Sequence, residues 1–153
     1  MIFAGIVSGF PSALGQVFEA ARVYGEATIK DSANIQGSSK IYEKAYISEY
    51  SKVGEQASVF GNGQVHGQAH VVGSSVVNSN SQIYGRAFIG DNAWISGYAR
   101  ISGSAFVYGS AHIYDWAQVL GEAHVYDNAQ VYAYAVVEGD QQIGENTQVC
   151  PSS

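Results

Sequence analysis

The chain is poor in cysteine, proline and basic residues. One cysteine and two prolines occur among 153 residues, and a lone cysteine, Cys150, excludes an internal disulfide framework. Lysine and arginine together number 7 against 13 acids, which gives a net charge of −6. We therefore expect no direct binding of nucleic acid, because neutralisation of phosphates dominates that affinity. No apolar run is long enough to cross a membrane, so we expect no membrane insertion either.

Charge of either sign is scarce, and the little there is lies unevenly along the chain. Charged residues make up 13% of the sequence, about half of the usual share, whereas aromatic residues make up 12%. Residues 1–76 carry 5 Lys or Arg against 6 acids, and residues 77–153 carry 2 against 7. The C-terminal half is therefore the acidic half.

What the chain has in abundance is a six-residue repeat, which runs from Gly15 to Ser152 without an insertion or a deletion. The repeat reads small–x–Val/Ile–x–Gly/Asp/Glu–x. Counted from residue 21, the third position is Val or Ile in all 22 hexads, from Val23 to Val149. The first position is Ala, Ser or Gly in 20 of them, with Gln141 and Thr147 as the exceptions. Such self-similarity indicates a repeat architecture of one domain.

The spacing of the hexad favours short strands over helix. Two core positions separated by one residue point to the same side of a strand. A β-branched residue favours strand, and Gly or an acid followed by one more residue supplies a corner. A helix would repeat its apolar positions at intervals of three and four residues instead. Because a strand of this length cannot bury its own apolar side, the hexads must coil and stack on one another.

The pattern of an aliphatic residue followed four positions later by a small one, as in Val23 and Ala27 or Ile95 and Ala99, resembles the hexapeptide-repeat superfamily. Those proteins are single-stranded left-handed parallel β-helices. The resemblance implies an all-β triangular solenoid of about 18 residues per coil, with seven to eight coils and frequent assembly into trimers. It also implies a wide range of activities, from acyltransferases and metal-dependent hydratases to proteins without any.

The sequence divides into an N-terminal cap segment, residues 1–14, and the β-helix, residues 15–153. The first segment carries no charge and does not keep the phase of the hexad. It lacks the basic start of a signal peptide and is interrupted by Gly5, Gly9 and Pro11. We expect its apolar residues to cover the open end of the β-helix or to pair with a neighbouring subunit. Those residues are Ile2, Phe3, Ile6, Val7 and Phe10.

If 18 residues make one coil, aromatic side chains of the distal half line up in columns on the outside. All eleven Tyr and both Trp occupy outward positions of the hexad. Tyr24, Tyr42 and Phe60 form a further column near the N-terminus, beside Arg22 and Lys40. The predicted binding or interface residues are Phe88, Trp94, Tyr98, Phe106, Tyr108, His112, Tyr114, Trp116, His124, Tyr126, Tyr132 and Tyr134.

These columns allow more than one interpretation. Stacked aromatic pairs stabilise neighbouring strands by about 0.2–1 kcal/mol each. An aromatic wall from residue 88 to residue 134 nevertheless exceeds what a soluble monomer usually exposes, and Tyr and Trp are enriched at interfaces. A subunit interface or flat binding face is therefore favoured, and stacking of sugar rings or nucleobases on the wall ranks second.

Catalysis and metal binding find less support. The acyltransferases of the superfamily use a histidine base between subunits, and they cover the substrate with a loop that the unbroken hexads here do not provide. Among the four histidines the candidates for such a base are His112 and His124, with His112 the better placed because Trp94, Tyr114 and Trp116 surround it. Membership of an aromatic ladder is the favoured interpretation, since we expect no acid to orient the ring. His66 and His70 stand four residues apart, but the Gly67-Gln68 corner should turn them to different faces. We expect no metal and no cofactor.

The sequence thus favours a non-enzymatic interaction or assembly module that binds through its aromatic, acidic C-terminal half. Loop-free repeats of this kind look like bacterial or phage accessory proteins, either structural parts or inhibitors of a host protein, with a cytoplasmic or virion-associated location. The expected partners are further copies of the chain in a trimer, a protein partner, or a small ligand between subunits. An acyltransferase-like enzyme with an intersubunit site and a saccharide or nucleotide binder are the alternatives.

Overall fold

The computed structural model describes residues 6–7, 12–13 and 15–151, and the side chains of residues 15–151. Within these residues the chain forms 25 strands of two residues each and no helix. From Gln16 onward one strand begins every six residues, as the hexad predicts. The strands fall into three parallel sheets, which fit the three sides of a triangular coil.

Each sheet collects every third strand. Sheet A contains β1 (Ile6–Val7), β4 (Arg22–Val23), β7 (Lys40–Ile41), β10 (Ser58–Val59), β13 (Val76–Val77), β16 (Trp94–Ile95), β19 (His112–Ile113), β22 (Gln130–Val131) and β25 (Gln148–Val149). Sheet B contains β2 (Ser12–Ala13), β5 (Thr28–Ile29), β8 (Tyr46–Ile47), β11 (Gln64–Val65), β14 (Gln82–Ile83), β17 (Arg100–Ile101), β20 (Gln118–Val119) and β23 (Val136–Val137). Sheet C contains β3 (Gln16–Val17), β6 (Asn34–Ile35), β9 (Lys52–Val53), β12 (His70–Val71), β15 (Phe88–Ile89), β18 (Phe106–Val107), β21 (His124–Val125) and β24 (Gln142–Ile143).

The register of the sheets confirms the coil of about 18 residues. From β3 to β22 every strand residue pairs with the one 18 positions further along, so that Phe88 lies beside Phe106 and Trp94 beside His112. Backbone hydrogen bonds connect successive coils, as from the Trp94 amide to the Ala111 carbonyl at 2.9 Å. The result is a parallel β-solenoid of about 7 coils.

The core is a thin column filled by the first and third positions of the hexads. Ala21 and Val23 are fully buried, and the same holds at Ile95 and Ala99 several coils later. Because these side chains are small or β-branched, they fill the narrow interior of the coil in the extended conformation that they prefer. The second, fourth and sixth positions are left to the outside.

The fifth position makes the corner, and it has a positive φ at every hexad from Glu19 to Glu145. The acids expected there to form turns do more than that. Seven of these carboxylates accept a hydrogen bond from the backbone N–H of the fifth position in the next coil, as Asp91 does from Gly109 at 2.9 Å. The others are Glu19, Asp31, Glu43, Glu55, Asp115 and Asp127. Each acid therefore links two coils along an edge of the solenoid.

The two ends depart from the repeat. Ile6–Val7 and Ser12–Ala13 are strands of sheets A and B, but they pair with residues 16 positions further along, because β2 and β3 begin only four residues apart. The other residues of the 1–14 segment lie outside the described residues, Ile2, Phe3 and Phe10 among them, so the covering of the end stays a prediction. In the last coil Gln141 and Thr147 are exposed, yet β24 and β25 still pair with their neighbours.

Candidate functional site

The distal aromatic residues form three groups, of which the first lies on sheet C and is called the sheet C cluster. Phe106 stacks on His124 with ring centroids 4.8 Å apart, and on its other side it lies 5.9 Å from Phe88 with the rings tilted by 35°. Beside them Tyr108 stacks on Tyr126 at 5.4 Å and meets His124 edge-on. All five residues belong to the predicted binding or interface residues, and the coils bring them together on one face.

A second group, the sheet A cluster, lies on the neighbouring face. Trp94 lies 6.2 Å from His112 with the rings tilted by 36°, and Tyr114 stacks on Tyr132 at 5.2 Å. The Tyr114 hydroxyl lies 3.4 Å from Oε1 of Gln130 in the next strand of the sheet. An open groove of about 330 Å³ runs between these two columns, and Asp115 lies at its edge.

The third group is a ladder at the corner between sheets A and B, which we call the A/B ladder. Trp116 lies between Tyr98 and Tyr134, at 5.4 Å and 5.1 Å, with interplanar angles of 2° and 12°. The three side chains are 52%, 47% and 67% exposed in chain order from Tyr98. In the two coils before Tyr98 the same column holds Asn62 and Asn80, which hydrogen-bond each other through their amides.

The geometry of the A/B ladder restricts what it can bind by stacking. At these centroid distances both faces of the Trp116 ring are already covered, and no ring of a ligand fits between neighbouring rungs. The exposed part of Trp116 is therefore the edge of its ring. A run of sugar rings or bases stacked one on each aromatic residue, as the sequence interpretation considered, would need faces that the ladder uses for itself.

The sheet C and sheet A clusters do not merge into one surface. The corner between sheets C and A separates them, and its sixth positions in this region are Asn92, Ser110 and Asn128. These side chains are small, polar and exposed, and Asn128 hydrogen-bonds Asn146 in the next coil. The molecule therefore presents two aromatic patches on either side of a polar edge.

Neither candidate histidine has the partner that a general base needs. His112 is exposed, and in residues 15–151 no carboxylate hydrogen-bonds it or His124. Asp115 is close in sequence, but its Oδ2 accepts from the backbone N–H of Ala133 at 3.1 Å. The stacking on Phe106 instead gives His124 a packing role.

The remaining histidines lie where the repeat places them. His66 stacks on Tyr84 at 5.3 Å on sheet B, whereas His70 lies in β12 of sheet C, so the expected separation by the corner is confirmed. Burial lowers the pKa of His70 below its ordinary value, and the nearby charge of Lys52 lowers it further. Within the described part of the chain no three His, Cys, Asp or Glu side chains are grouped so that they could hold a metal ion.

Sequence reasoning overlooked a polar groove on sheet B, next to the A/B ladder. It has a volume of about 380 Å³ and is lined by Asn80, Gln82, Tyr98, Arg100, Trp116, Gln118 and Tyr134. Gln82, Arg100 and Gln118 occupy consecutive strands in register. The 18-residue period places these three side chains in one column, and this is the signal in the sequence from which the groove could have been predicted.

Comparison of the chain with models of protein families, with curated proteins and with solved structures finds no match. The fold is therefore established by the geometry of the coils, and the hexapeptide-repeat superfamily remains a resemblance. In the part of the chain that the structure describes, no helix could span a bilayer.

Proposed function

We propose that the chain is a left-handed β-helix of the hexapeptide-repeat type and serves as a non-enzymatic assembly and interaction module. The observation that carries the proposal is the distribution of exposed apolar side chains. Of the seven large hydrophobic residues exposed among residues 15–151, six lie between Trp94 and Val136. Monomeric proteins seldom expose aromatic surface concentrated in this way, and Tyr and Trp dominate the energetic centres of interfaces.

The arrangement of the patches favours a cyclic assembly, which we propose to be a trimer. A ring of identical subunits needs two different patches on each subunit, so that one patch packs on the other patch of the next copy. The sheet C cluster and the sheet A cluster supply two such patches, and the polar corner with Asn92, Ser110 and Asn128 lies between them. That corner would face the three-fold axis. The A/B ladder would then point outward and stay open to a protein partner.

Substitution of each patch by residues already used in its own column tests the assembly. Trp94→Gln with His112→Gln replaces two second-position residues of the sheet A cluster by the residue found at Gln130 and Gln148. Phe88→Gln with Phe106→Gln does the same on sheet C, where Gln142 is the precedent. We expect sedimentation to give three times the 16.3 kDa of one chain for the wild type and the monomer mass for both variants.

Tyr50→Gln is the matched control. Tyr50 is 68% exposed, as Tyr134 is at 67%, but it lies in the proximal half, and its column continues with Gln68. The control should remain trimeric. A wild type that is monomeric at micromolar concentration, or patch variants that stay assembled, would overturn the proposed trimer.

A capture experiment from the native host tests the protein partner. The triple variant Tyr98→Asn, Trp116→Asn and Tyr134→Asn continues the asparagine ladder that Asn62 and Asn80 begin, so we expect it to fold. A partner that binds the A/B ladder should be captured by the wild type and lost with this variant. Capture that is unchanged in the triple variant would place the partner elsewhere.

An acyltransferase-like enzyme is the second candidate, because the groove of about 330 Å³ beside His112 is large enough for a small substrate. An intersubunit site would place this groove against the next copy. Calorimetry with acetyl-CoA tests this function, with His112→Ala as the variant that should lose activity. Absence of heat on addition of acetyl-CoA would rule out the acyltransferase-like function.

A further inference from the structure

The groove on sheet B carries an inference beyond the assembly proposed above, because that assembly leaves sheet B free. From its lining we infer that this groove binds a carboxylate-bearing saccharide, with Arg100 as the residue that pairs with the carboxylate. The volume of about 380 Å³ lies within the range of small-molecule sites.

The Arg100 side chain is available to a ligand. It is exposed, and within residues 15–151 it makes no ion pair with a carboxylate. None of the other residues that line the groove is acidic. Arg100 is also one of only two basic residues in the half of the chain that carries seven acids. A guanidinium that forms no ion pair with the described carboxylates can bind one from a ligand through two parallel hydrogen bonds.

Carboxamide side chains lie on both sides of the Arg100 guanidinium along the sheet. Gln82 precedes Arg100 and Gln118 follows it in neighbouring strands of sheet B, so the floor of the groove presents amide, guanidinium and amide in succession. Carboxamides both donate and accept hydrogen bonds, which suits the hydroxyl groups of a sugar. The floor offers one such side chain per coil, or about 4.8 Å, and a pyranose ring in an extended chain advances by a similar length.

Aromatic side chains form one side of the groove. The A/B ladder borders the groove with the edges of Tyr98, Trp116 and Tyr134. The edge of an aromatic ring supplies apolar contact together with the hydroxyl of Tyr and the N–H of Trp, and these suit the mixed surface of a sugar. The ligand would therefore lie alongside the ladder and not between its rungs.

A peptide fits the groove less well. Extended peptides usually bind by adding a strand to a free sheet edge. The strands under the groove are interior strands, and their amides already donate to the next coil, as from Arg100 to the Ala117 carbonyl at 3.0 Å and from Gln118 to the Ala135 carbonyl at 2.9 Å. With the backbone engaged, only side chains can recognise the ligand, which favours a sugar.

Calorimetric titration of the full-length chain with oligogalacturonate, a chain of carboxylate-bearing sugars, tests the proposal. We expect binding to the wild type and a loss of affinity of at least about tenfold in Arg100→Gln, since a charge-assisted bidentate pair is removed. Gln is the residue before and after Arg100 in the column, so this variant should fold as the wild type does. Arg100→Lys should retain part of the affinity, because it keeps the charge and loses the bidentate geometry.

Arg86→Gln is the control for net charge. Arg86 is the other basic residue of the distal half, and it follows β14 at the corner between sheets B and C, away from the groove. Its substitution should change the affinity by less than about twofold if Arg100 acts through a specific site. An equal loss in both variants would show attraction by charge alone and would overturn the site.

Two further probes define the ligand class. A neutral galactose oligomer should bind more weakly than the uronate by at least about tenfold, because it cannot pair with the guanidinium. Polyglutamate should not compete with the uronate. Equal binding of the neutral oligomer, stronger binding of polyglutamate, or no binding of the uronate would each overturn the proposal. The mass by sedimentation should be the same for wild type and Arg100→Gln, which separates this outcome from a failure of the trimer.

Discussion

The coils formed by residues 15–76 and those formed by residues 77–151 share one interior and differ in their exterior. Ile47 and Ile101 are equally buried in sheet B, and the corner acids of both halves link successive coils in the same way. At the second positions of sheets A and C the proximal half carries mostly basic and polar side chains, whereas the distal half carries Phe, Trp or His from Phe88 to His124 and Gln in its last coils. Two surfaces of different chemistry are thus built on one scaffold.

Aromatic ladders as such do not distinguish the halves. Tyr24, Tyr42 and Phe60 stack at 5.1 Å and 4.7 Å in the proximal half, as the sequence predicted, but all three are half-buried fourth-position residues. The distal half adds aromatic residues at second and sixth positions, where Trp94 and Trp116 remain exposed. Fourth-position aromatics are half-buried and support the coils in both halves, those within the two patches included, whereas Trp94 and Phe106 supply exposed aromatic surface of the patches.

The largest effect expected is on the shared core. Ile47→Ala and Ile101→Ala should each lower the free energy of unfolding by about 2–5 kcal/mol, because each leaves a cavity in a close-packed column. Urea denaturation measures this, with Gln64→Ala on the outside of the same sheet as a control that should change little. A difference between the two core variants of more than about 1 kcal/mol would mean that the halves are not equivalent inside.

The corners should show a smaller effect. Gly97 and Gly139 have φ of 67° and 70°, but a Cβ on Gly97 would lie 2.7 Å from the backbone nitrogen of Asp115, while a Cβ on Gly139 meets no atom within 4 Å. Gly139→Ala should cost about 1 kcal/mol for the left-handed conformation alone, and Gly97→Ala should cost more. Equal melting temperatures of the two variants would show that the coil above moves aside without cost.

The coil-linking carboxylates should contribute still less, and equally in the two halves. Asp91→Ala removes the acceptor for Gly109 and Glu55→Ala the acceptor for Gly73, both at 2.9 Å. We expect each variant to lose about 0.5 kcal/mol of unfolding free energy, because these hydrogen bonds are exposed to solvent. Asp140→Ala serves as the control, since Asp140 is an exposed acid with no side-chain hydrogen bond within the described residues. A loss as large in Asp140→Ala would indicate that net charge, not the link, is responsible.

The smallest effect concerns His70, which lies where the two halves meet on sheet C, between Lys52 and Phe88. Its pKa is lowered from 6.5 by burial and by Lys52. The folded chain then binds the proton more weakly than the unfolded chain, so stability should fall as the pH drops below about 6.5. His70→Gln should reduce the difference in urea midpoint between pH 8 and pH 5. An NMR titration that finds an ordinary pKa for His70 would contradict this.

Much of the architecture could be predicted from the sequence because the hexad is so regular. Val23 to Val149 specify an inward position every six residues, and their β-branching leaves strand as the only local structure that fits. The start of the coil could not be predicted in this way. Ile6–Val7 and Ser12–Ala13 pair 16 positions along, and no pattern of apolar residues shows where two residues drop out of a repeat.

The candidate site was predicted only in part. Stacking at 18-residue intervals brought Phe88, Phe106 and His124 together as expected, because each coil has the same length. The groove around Arg100 was not predicted, because a column of amide and guanidinium groups is typical of any exposed strand. What distinguishes this column is the A/B ladder beside it, which only the structure shows. The separation of the two patches by a polar edge was not predicted from the sequence either.

By itself the sequence determined the strand length, the composition of the core and the sites of the corners, because these depend on residues within one or two hexads. Only the tertiary structure decided which outward side chains became neighbours across coils, how the rings covered one another, and where a free guanidinium faced a groove. The reason is physical. Local conformation follows from β-branching and turn chemistry, whereas the surface depends on contacts between residues 18 positions apart that exist only once the coils have stacked.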